Sequence, residues 1–286
     1  MDLLLVLGPL VLGAATAIAV DWSAERRGLQ APALSLRSAP TTGRALRRAF
    51  LLTVMTVGLA LAVFQSITAL GVETEVDMSQ VATWQLFFVH AVLMGMMGLW
   101  YLVGFGGHLA PPRRLATEWW RQFGLRSTSI GREILLGLAV GAVGWFVVLA
   151  VVSLLGLLAG SLIGPESLPD GVPEQVVWMA GLPVLLRFAI AVSAGVVEEV
   201  FFRGFLQPRI GILASTGLFS VAHLSYGQPF LLVGVTLLSV GFAFLSRWRG
   251  NVWAAITAHF AFDAIQLLVL IPAALRFAEL APPVGG

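Results

Sequence analysis

Eight stretches of this chain are long and apolar enough to cross a lipid bilayer, and no other feature constrains the fold as tightly. A hydrocarbon core about 30 Å thick takes about 20 consecutive apolar residues as a helix. Inside that core no water satisfies backbone N–H and C=O groups, so such runs become helices bonded within themselves. The runs cover residues 3–20, 49–70, 84–105, 134–158, 176–206, 210–224, 230–245 and 252–270. The expected fold class is therefore all-α, a polytopic membrane helix bundle of about eight transmembrane helices. The sixth run is short, and the fifth is long enough to tilt or to begin with an interfacial turn at Leu182-Pro183.

The loops between the runs test this reading independently. Arg26, Arg27, Arg37, Arg44, Arg47 and Arg48 crowd the first connection, and Arg113, Arg114, Arg121, Arg126 and Arg132 the third. Arg209 marks the fifth, Arg247 and Arg249 the seventh. The second holds Glu73, Glu75 and Asp77, the fourth Glu166, Asp170 and Glu174, and the sixth is uncharged. Every second loop is thus basic, which the positive-inside rule requires if both termini lie outside. The first run has no basic segment before it and arginines after it, so it reads as an uncleaved span rather than a signal peptide.

Composition narrows the class of function. Only 11% of residues are charged, against roughly a quarter in soluble chains, which makes this an integral membrane protein. A net charge of +2 is too small to suggest a nucleic-acid partner. All seventeen basic residues are arginine, a usage that points to a GC-rich bacterial genome and hence to a bacterial cell membrane. Without cysteine there is neither a disulfide nor a thiolate nucleophile, and any metal must be held by histidine and carboxylate.

Three regions are expected: a three-helix membrane region over 1–133 with an amphipathic loop, a helix bundle carrying the chemistry over 134–272, and a disordered tail over 273–286. In the loop, Leu115, Trp119, Trp120 and Phe123 lie among arginines, as in a short helix resting on the inner leaflet. Gly137 and Gly141 form a GxxxG pair, which favours close helix packing. His90 has no partner in the pattern and reads as a packing histidine, Arg187 as a residue that snorkels or pairs locally, and His108 as solvated.

Against this background a few ionisable residues stand out, because each costs at least about 2.5–3.5 kcal/mol to insert at mid-membrane. Glu198 and Glu199 are adjacent on the fifth run, with Arg203 one turn beyond. Glu199 and Arg203, four apart with the glutamate first, have the favourable orientation for a helical ion pair. Glu198 lies about 100° round the helix. It shares its face with Ala194 and Gly195, which leave room for water or another helix. Glu198 is therefore the expected working base and Glu199 the structural partner of Arg203.

His223 follows Phe219 by one turn on the sixth run, and His259 and Asp263 are four apart on the eighth. Counted from the basic ends at about 1.5 Å per residue, His259 and Glu198 lie about 12–13 Å deep, and His223 and Asp263 about 18 Å deep. Three helices thus bring polar residues into one slab, as a shared cavity requires. Two chemistries suit it. Two histidines and a glutamate can ligate zinc with an open position for water. Alternatively, Glu198 acts as general base on a bound water while histidines stabilise the oxyanion. Both hydrolyse an amide.

The ordered set Glu-Glu-x-x-x-Arg at 198–203, Phe-x-x-x-His at 219–223 and His-x-x-x-Asp at 259–263 resembles the CPBP intramembrane proteases. These are the type II CAAX prenyl endopeptidases and abortive-infection or bacteriocin-processing proteins. The string Glu-Glu-Val-Phe-Phe-Arg-Gly-Phe-Leu-Gln at 198–207 carries most of the likeness, which covers about a third of the chain. The resemblance implies a cavity open to the cytoplasmic side, Glu198 activating water, and His223 and His259 binding a metal or stabilising the oxyanion. It also implies Asp263, Glu199 and Arg203 in support. The departure is Asp263, where the prenyl endopeptidases typically carry asparagine; the extra negative charge favours a bound metal or a proton shared with Glu198, and weakens any transfer of prenyl-protein specificity. The function expected is an intramembrane endopeptidase acting on a membrane-tethered or amphipathic peptide near the cytoplasmic face. An ion-coupled transporter and a non-catalytic immunity or scaffold protein are the alternatives.

Overall fold

The apolar runs fold as helices whose boundaries follow proline, glycine and charge. The computed structural model describes residues 3–31, 34, 42–68, 84–105, 111–168, 174–224 and 229–280. The acidic residues Glu73, Glu75, Asp77 and Asp170, together with Arg37 and His108, lie outside the described residues. Helices α1 (Leu3–Arg26), α2 (Thr42–Thr68) and α3 (Gln85–Phe105) come first. The surface helix α4 (Pro112–Gln122) and the 33-residue α5 (Ile130–Leu162) follow. Then come α6 (Glu174–Gly181), α7 (Val184–Ser193), α8 (Gln207–Ile210), α9 (Ile212–Val221), α10 (Pro229–Arg249), α11 (Trp253–Ala264) and α12 (Ile271–Leu280).

Among the described residues six helices are long and apolar enough to cross a membrane: Leu7–Arg26, Gly43–Phe64, Phe87–Gly104, Ile130–Leu162, Pro229–Arg249 and Trp253–Phe277. The expected eight are not reached, for two local reasons. The run 176–206 breaks at Leu182-Pro183, and the helix that restarts at Val184 and continues to Ile210 carries too many charges, Arg187, Glu198, Glu199 and Arg203 among them, to count as an apolar span. The run 210–224 yields only the ten residues of α9, opened by Gly211 at φ +89°, a conformation that L side chains rarely adopt. At the C-terminal end the chain is helical through Leu280, so α12 occupies part of the stretch 273–286 expected to be disordered.

The helices α7 to α8 are joined by two π-helical segments, Ala194–Glu198 and Val200–Leu206, and a third, Ile265–Leu270, joins α11 to α12. Such i→i+5 segments are rare and concentrate at functional positions. All three motif residues of the fifth run, Glu198, Glu199 and Arg203, lie in or between the first two.

Packing then fixes these segments. One core joins α1, α2 and α3 to the π-helical segments through Met97, Trp100, Phe201 and Phe205, all nearly or fully buried. The first three helices therefore wall the site rather than forming a separate body. On the opposite flank α11 lies against α5 through Gly137 and Gly141. A methyl group at 137 would run into Thr257 and the Ala254 carbonyl, and one at 141 would meet the Ala258 carbonyl and Ala261. Gly195 brings the π-helical segment equally close to α11, with the Ile256 carbonyl 2.8 Å from where its methyl would be. The outward face of α5 carries Leu135, Phe146, Leu157 and Leu162 exposed, as lipid-facing residues of a bundle are.

Helix α4 has the amphipathic character expected of the arginine-rich loop. Pro112 opens it at the position where a missing N–H costs nothing. Trp119 packs on Phe123, which is completely buried, and Trp120 stacks on Trp253 at 6.0 Å. Glu133 at the start of α5 takes a two-pronged ion pair from Arg249 at the end of α10, at 3.0 and 2.8 Å.

Candidate functional site

Glu199 is the most deeply buried charge in the bundle, fully shielded from solvent. The Arg203 Nη1 donates to its Oε1 at 2.9 Å, and the His259 Nδ1 reaches the same oxygen at 2.8 Å. Arg203 spends its other arm on α10, where Nη2 donates to the Ser239 carbonyl at 3.1 Å and hydroxyl at 2.9 Å. The far nitrogen of His259, Nε2, forms an ion pair with Asp263 Oδ2 at 3.4 Å. Both ring nitrogens of His259 therefore face carboxylate oxygens, an arrangement satisfied when both carry a proton. With His259 as imidazolium, two positive groups (Arg203, His259) balance two negative ones (Glu199, Asp263). The network is electrically neutral, which is what makes its burial tolerable.

Glu198 points elsewhere. Its Oε1 accepts from the His90 Nε2 at 3.2 Å, and its Oε2 lies 3.9 Å from the His223 Nε2. Oε2 makes no hydrogen bond although it is sealed from bulk solvent. His90 is itself oriented by Ser193, whose hydroxyl meets Nδ1 at 2.7 Å. Since the carboxylate can only accept, Nε2 of His90 carries the proton and Nδ1 accepts from Ser193. His223 is held the other way round. Its Nδ1 donates to the Phe219 carbonyl at 2.7 Å, which leaves Nε2 turned towards Glu198.

Phe219 is the shared wall of the two clusters. Its ring stacks on His223 at 4.5 Å between centroids, meets His259 edge-on at 6.1 Å, and carries the Arg203 guanidinium 4.5 Å above its face. An aromatic face attracts such a cation, and here it also excludes water from the ion pair. Phe242 closes the other side of His259 by stacking at 5.4 Å.

The separation of the two glutamates and the Glu199–Arg203 pair stand as read from the sequence. Three placements differ or are new. His259 lies on Glu199 and Asp263 rather than on Glu198. His90, read as a packing residue, is the hydrogen-bond partner of Glu198; counted from the basic end of its run it lies about 22 Å deep, below the slab of the other polar residues. Arg187 does not snorkel. It is buried, and its Nη1 donates at 2.7 Å to the Leu267 carbonyl in the π-helical segment after α11. Ser193 and Ser239 carried no signal beyond being small and polar in apolar helices.

The proposed zinc ligands were His223, His259 and Glu198. Glu198 Oε2 and His223 Nε2 face one another, but both nitrogens of His259 are taken by carboxylates. Among the described residues no three His, Asp or Glu side chains converge as a ligand set. The donor geometry therefore supports no chemical step through a metal.

Two comparisons with known proteins bear on this chain. Residues 180–265, from α6 to the start of the last π-helical segment, match the family model described as type II CAAX prenyl endopeptidase Rce1-like. The matched stretch contains Glu198, Glu199, Arg203, Phe219, His223, His259 and Asp263; His90 lies outside it. The uncharacterized protein YpbD of Bacillus subtilis (strain 168) is 30% identical over 125 residues, which is 42% of this chain. The chain spans 65% of the length of that relative. No solved structure gives a significant match. Over residues 180–265 the chain is similar to the Rce1-like type II CAAX prenyl endopeptidases.

Proposed function

We propose that this protein is an intramembrane endopeptidase that hydrolyses a peptide bond of a membrane-tethered or amphipathic peptide near the cytoplasmic face of a bacterial cell membrane. The observation that carries the reading is the Glu198 carboxylate, anchored on one oxygen by His90 and facing His223 with the other. A water about 2.8 Å from both Glu198 Oε2 and His223 Nε2 fits across that 3.9 Å separation.

Glu198 takes a proton from this water as its oxygen attacks the scissile carbonyl carbon. His223, protonated on Nε2, donates to the oxyanion of the tetrahedral intermediate. Collapse breaks the C–N bond, and the proton held by Glu198 passes to the leaving amine. Each step uses a group on this chain, and the carboxyl ends in its starting state. His90 holds Glu198 in one rotamer and is a positioning residue. Glu199, Arg203, His259 and Asp263 are positioning residues too, because they lock the helices that carry Glu198 and His223.

The test is cleavage of a co-expressed membrane-tethered reporter. Glu198→Gln removes the base while keeping the shape, and is expected to abolish cleavage without loss of folded protein. If Glu198→Gln and His223→Ala both cleave a verified substrate at the wild-type rate, the reading is wrong.

A further inference from the structure

At the end of the bundle that carries the basic loops lies a cavity of about 440 Å³, separate from Glu198 and His223. Arg27, Arg121, Arg203, Arg209 and Arg247 line it, and among the described residues no Asp or Glu does. Two of these charges are answered elsewhere, Arg203 by Glu199 and Arg121 by Glu118. Arg209 is not. It is completely buried, yet it has no carboxylate partner among the described residues. Its Nη1 donates to the Phe205 carbonyl at 2.6 Å and its Nη2 reaches the Gln122 side-chain oxygen at 3.3 Å. The Trp100 and Phe205 rings lie within 5 Å of the guanidinium. Its Nε has no partner at all.

A buried cation held only by neutral dipoles and rings is a strongly unfavourable arrangement unless an anion completes it. The cavity offers further unused groups. The Ser246 hydroxyl and the Gln207 side-chain oxygen are buried and unpartnered in the same wall. The N-terminal ends of α9, at Gly211 and Ile212, and of α11, at Val252, border it as well. Both helix ends present the positive pole of their peptide dipoles.

We propose that this cavity binds a phosphate-bearing anion. Arginine forks and a serine hydroxyl suit the tetrahedral oxygens of phosphate. The Gln207 oxygen suits a hydroxyl on the same ligand, whether the P–OH of hydrogen phosphate or a hydroxyl of a lipid headgroup. The location, where the helices end in arginines, is the level at which headgroups lie. The proposal is independent of the peptidase reading, since it uses neither Glu198 nor His223 and its readout is binding.

Full-length protein in a neutral detergent would be titrated with short-chain phosphatidylglycerol, short-chain phosphatidylcholine and inorganic phosphate at matched ionic strength, following thermal unfolding and affinity by tryptophan fluorescence. Phosphatidylglycerol is expected to stabilise the protein and phosphatidylcholine, with its choline cation, to do so far less. Stabilisation by inorganic phosphate as well assigns recognition to the phosphate group itself; phosphatidylglycerol alone assigns it to the intact headgroup. Arg209→Gln, deep in the core, would weaken binding but also threatens folding. The exposed pair Arg27→Gln and Arg247→Gln therefore serves as the decisive variant, expected to raise Kd about tenfold. Arg132→Gln, an exposed arginine outside the cavity, is expected to leave it unchanged. If neither phosphate nor phosphatidylglycerol stabilises the wild type, or if the double variant binds as tightly, the proposal fails.

Discussion

The two adjacent glutamates should respond very unequally to the same conservative change. Glu199→Gln removes the negative charge from a fully buried position that serves Arg203 at 2.9 Å and His259 at 2.8 Å. The amide oxygen can accept from one of them, but two buried cations then face Asp263 alone. Breaking a buried pair by removing one partner costs about 3–5 kcal/mol. At about 2–4 °C per kcal/mol for a chain of this length, that is a fall in Tm of about 6–20 °C. Glu198→Gln keeps an amide oxygen for the His90 N–H and gives up only the charge behind that bond, so it should cost about 0.5–1.5 kcal/mol. The assay is thermal unfolding of purified protein followed by fluorescence of its nine tryptophans, since the absence of cysteine rules out thiol-reactive dyes. The double change Glu199→Leu with Arg203→Met should recover much of the lost stability, because well-packed apolar residues replace an ion pair at little cost. If Glu199→Gln melts within a degree or two of wild type, or if Glu198→Gln melts as low, the division of labour between the two carboxylates is refuted.

Four further outcomes are expected. Glu198→Gln should lower kcat on a reporter substrate by about 10²–10⁴-fold, the usual worth of a general base, with KM nearly unchanged. His90→Ala should reduce kcat and alter its pH profile, whereas His90→Gln, which keeps an N–H donor towards Glu198, should restore part of the rate; equal losses in both would reduce His90 to packing. Gly141→Leu should deplete folded protein in the membrane, since even a methyl group there meets the Ala258 carbonyl; normal yield would mean that α5 and α11 can separate. Turnover should withstand a zinc chelator, and inhibition reversed by added zinc would instead put a metal between Glu198 and His223.

Much of this architecture is readable from residue spacing, because a bilayer leaves the chain few options. The positions of α1, α2, α3, α5, α10 and α11 follow from runs of apolar residues alone. The Glu199–Arg203 pair follows from a spacing of four. What escaped has a common cause, namely that spacing along one helix does not say which neighbour a side chain faces. His259 could be assigned to the right slab by depth, but not to Glu199 rather than Glu198, since both glutamates lie at nearly the same level. His90 sits on a helix with no motif, so nothing along its own sequence marked it. Proline at 183 and glycine at 211 are visible breaks; α9 falls short of a span by length, whereas the helix after Pro183 falls short by its charges. The π-helical segments left no trace in the sequence, as they arise from packing between neighbouring helices.

Helix α11 meets backbone on two sides, at Gly137 and Gly141 of α5 and at Gly195 ahead of Glu198. Contacts of that kind have no rotamers to give. Turning α11 by a single residue would swing a larger side chain into a carbonyl on one flank or the other, so its register behaves as a detent with one setting. The helix that carries His259 and Asp263 is thus the stator of the bundle. By contrast, α10 and α9 meet its His259 through the rings of Phe242 and Phe219, contacts that do have rotamers to give.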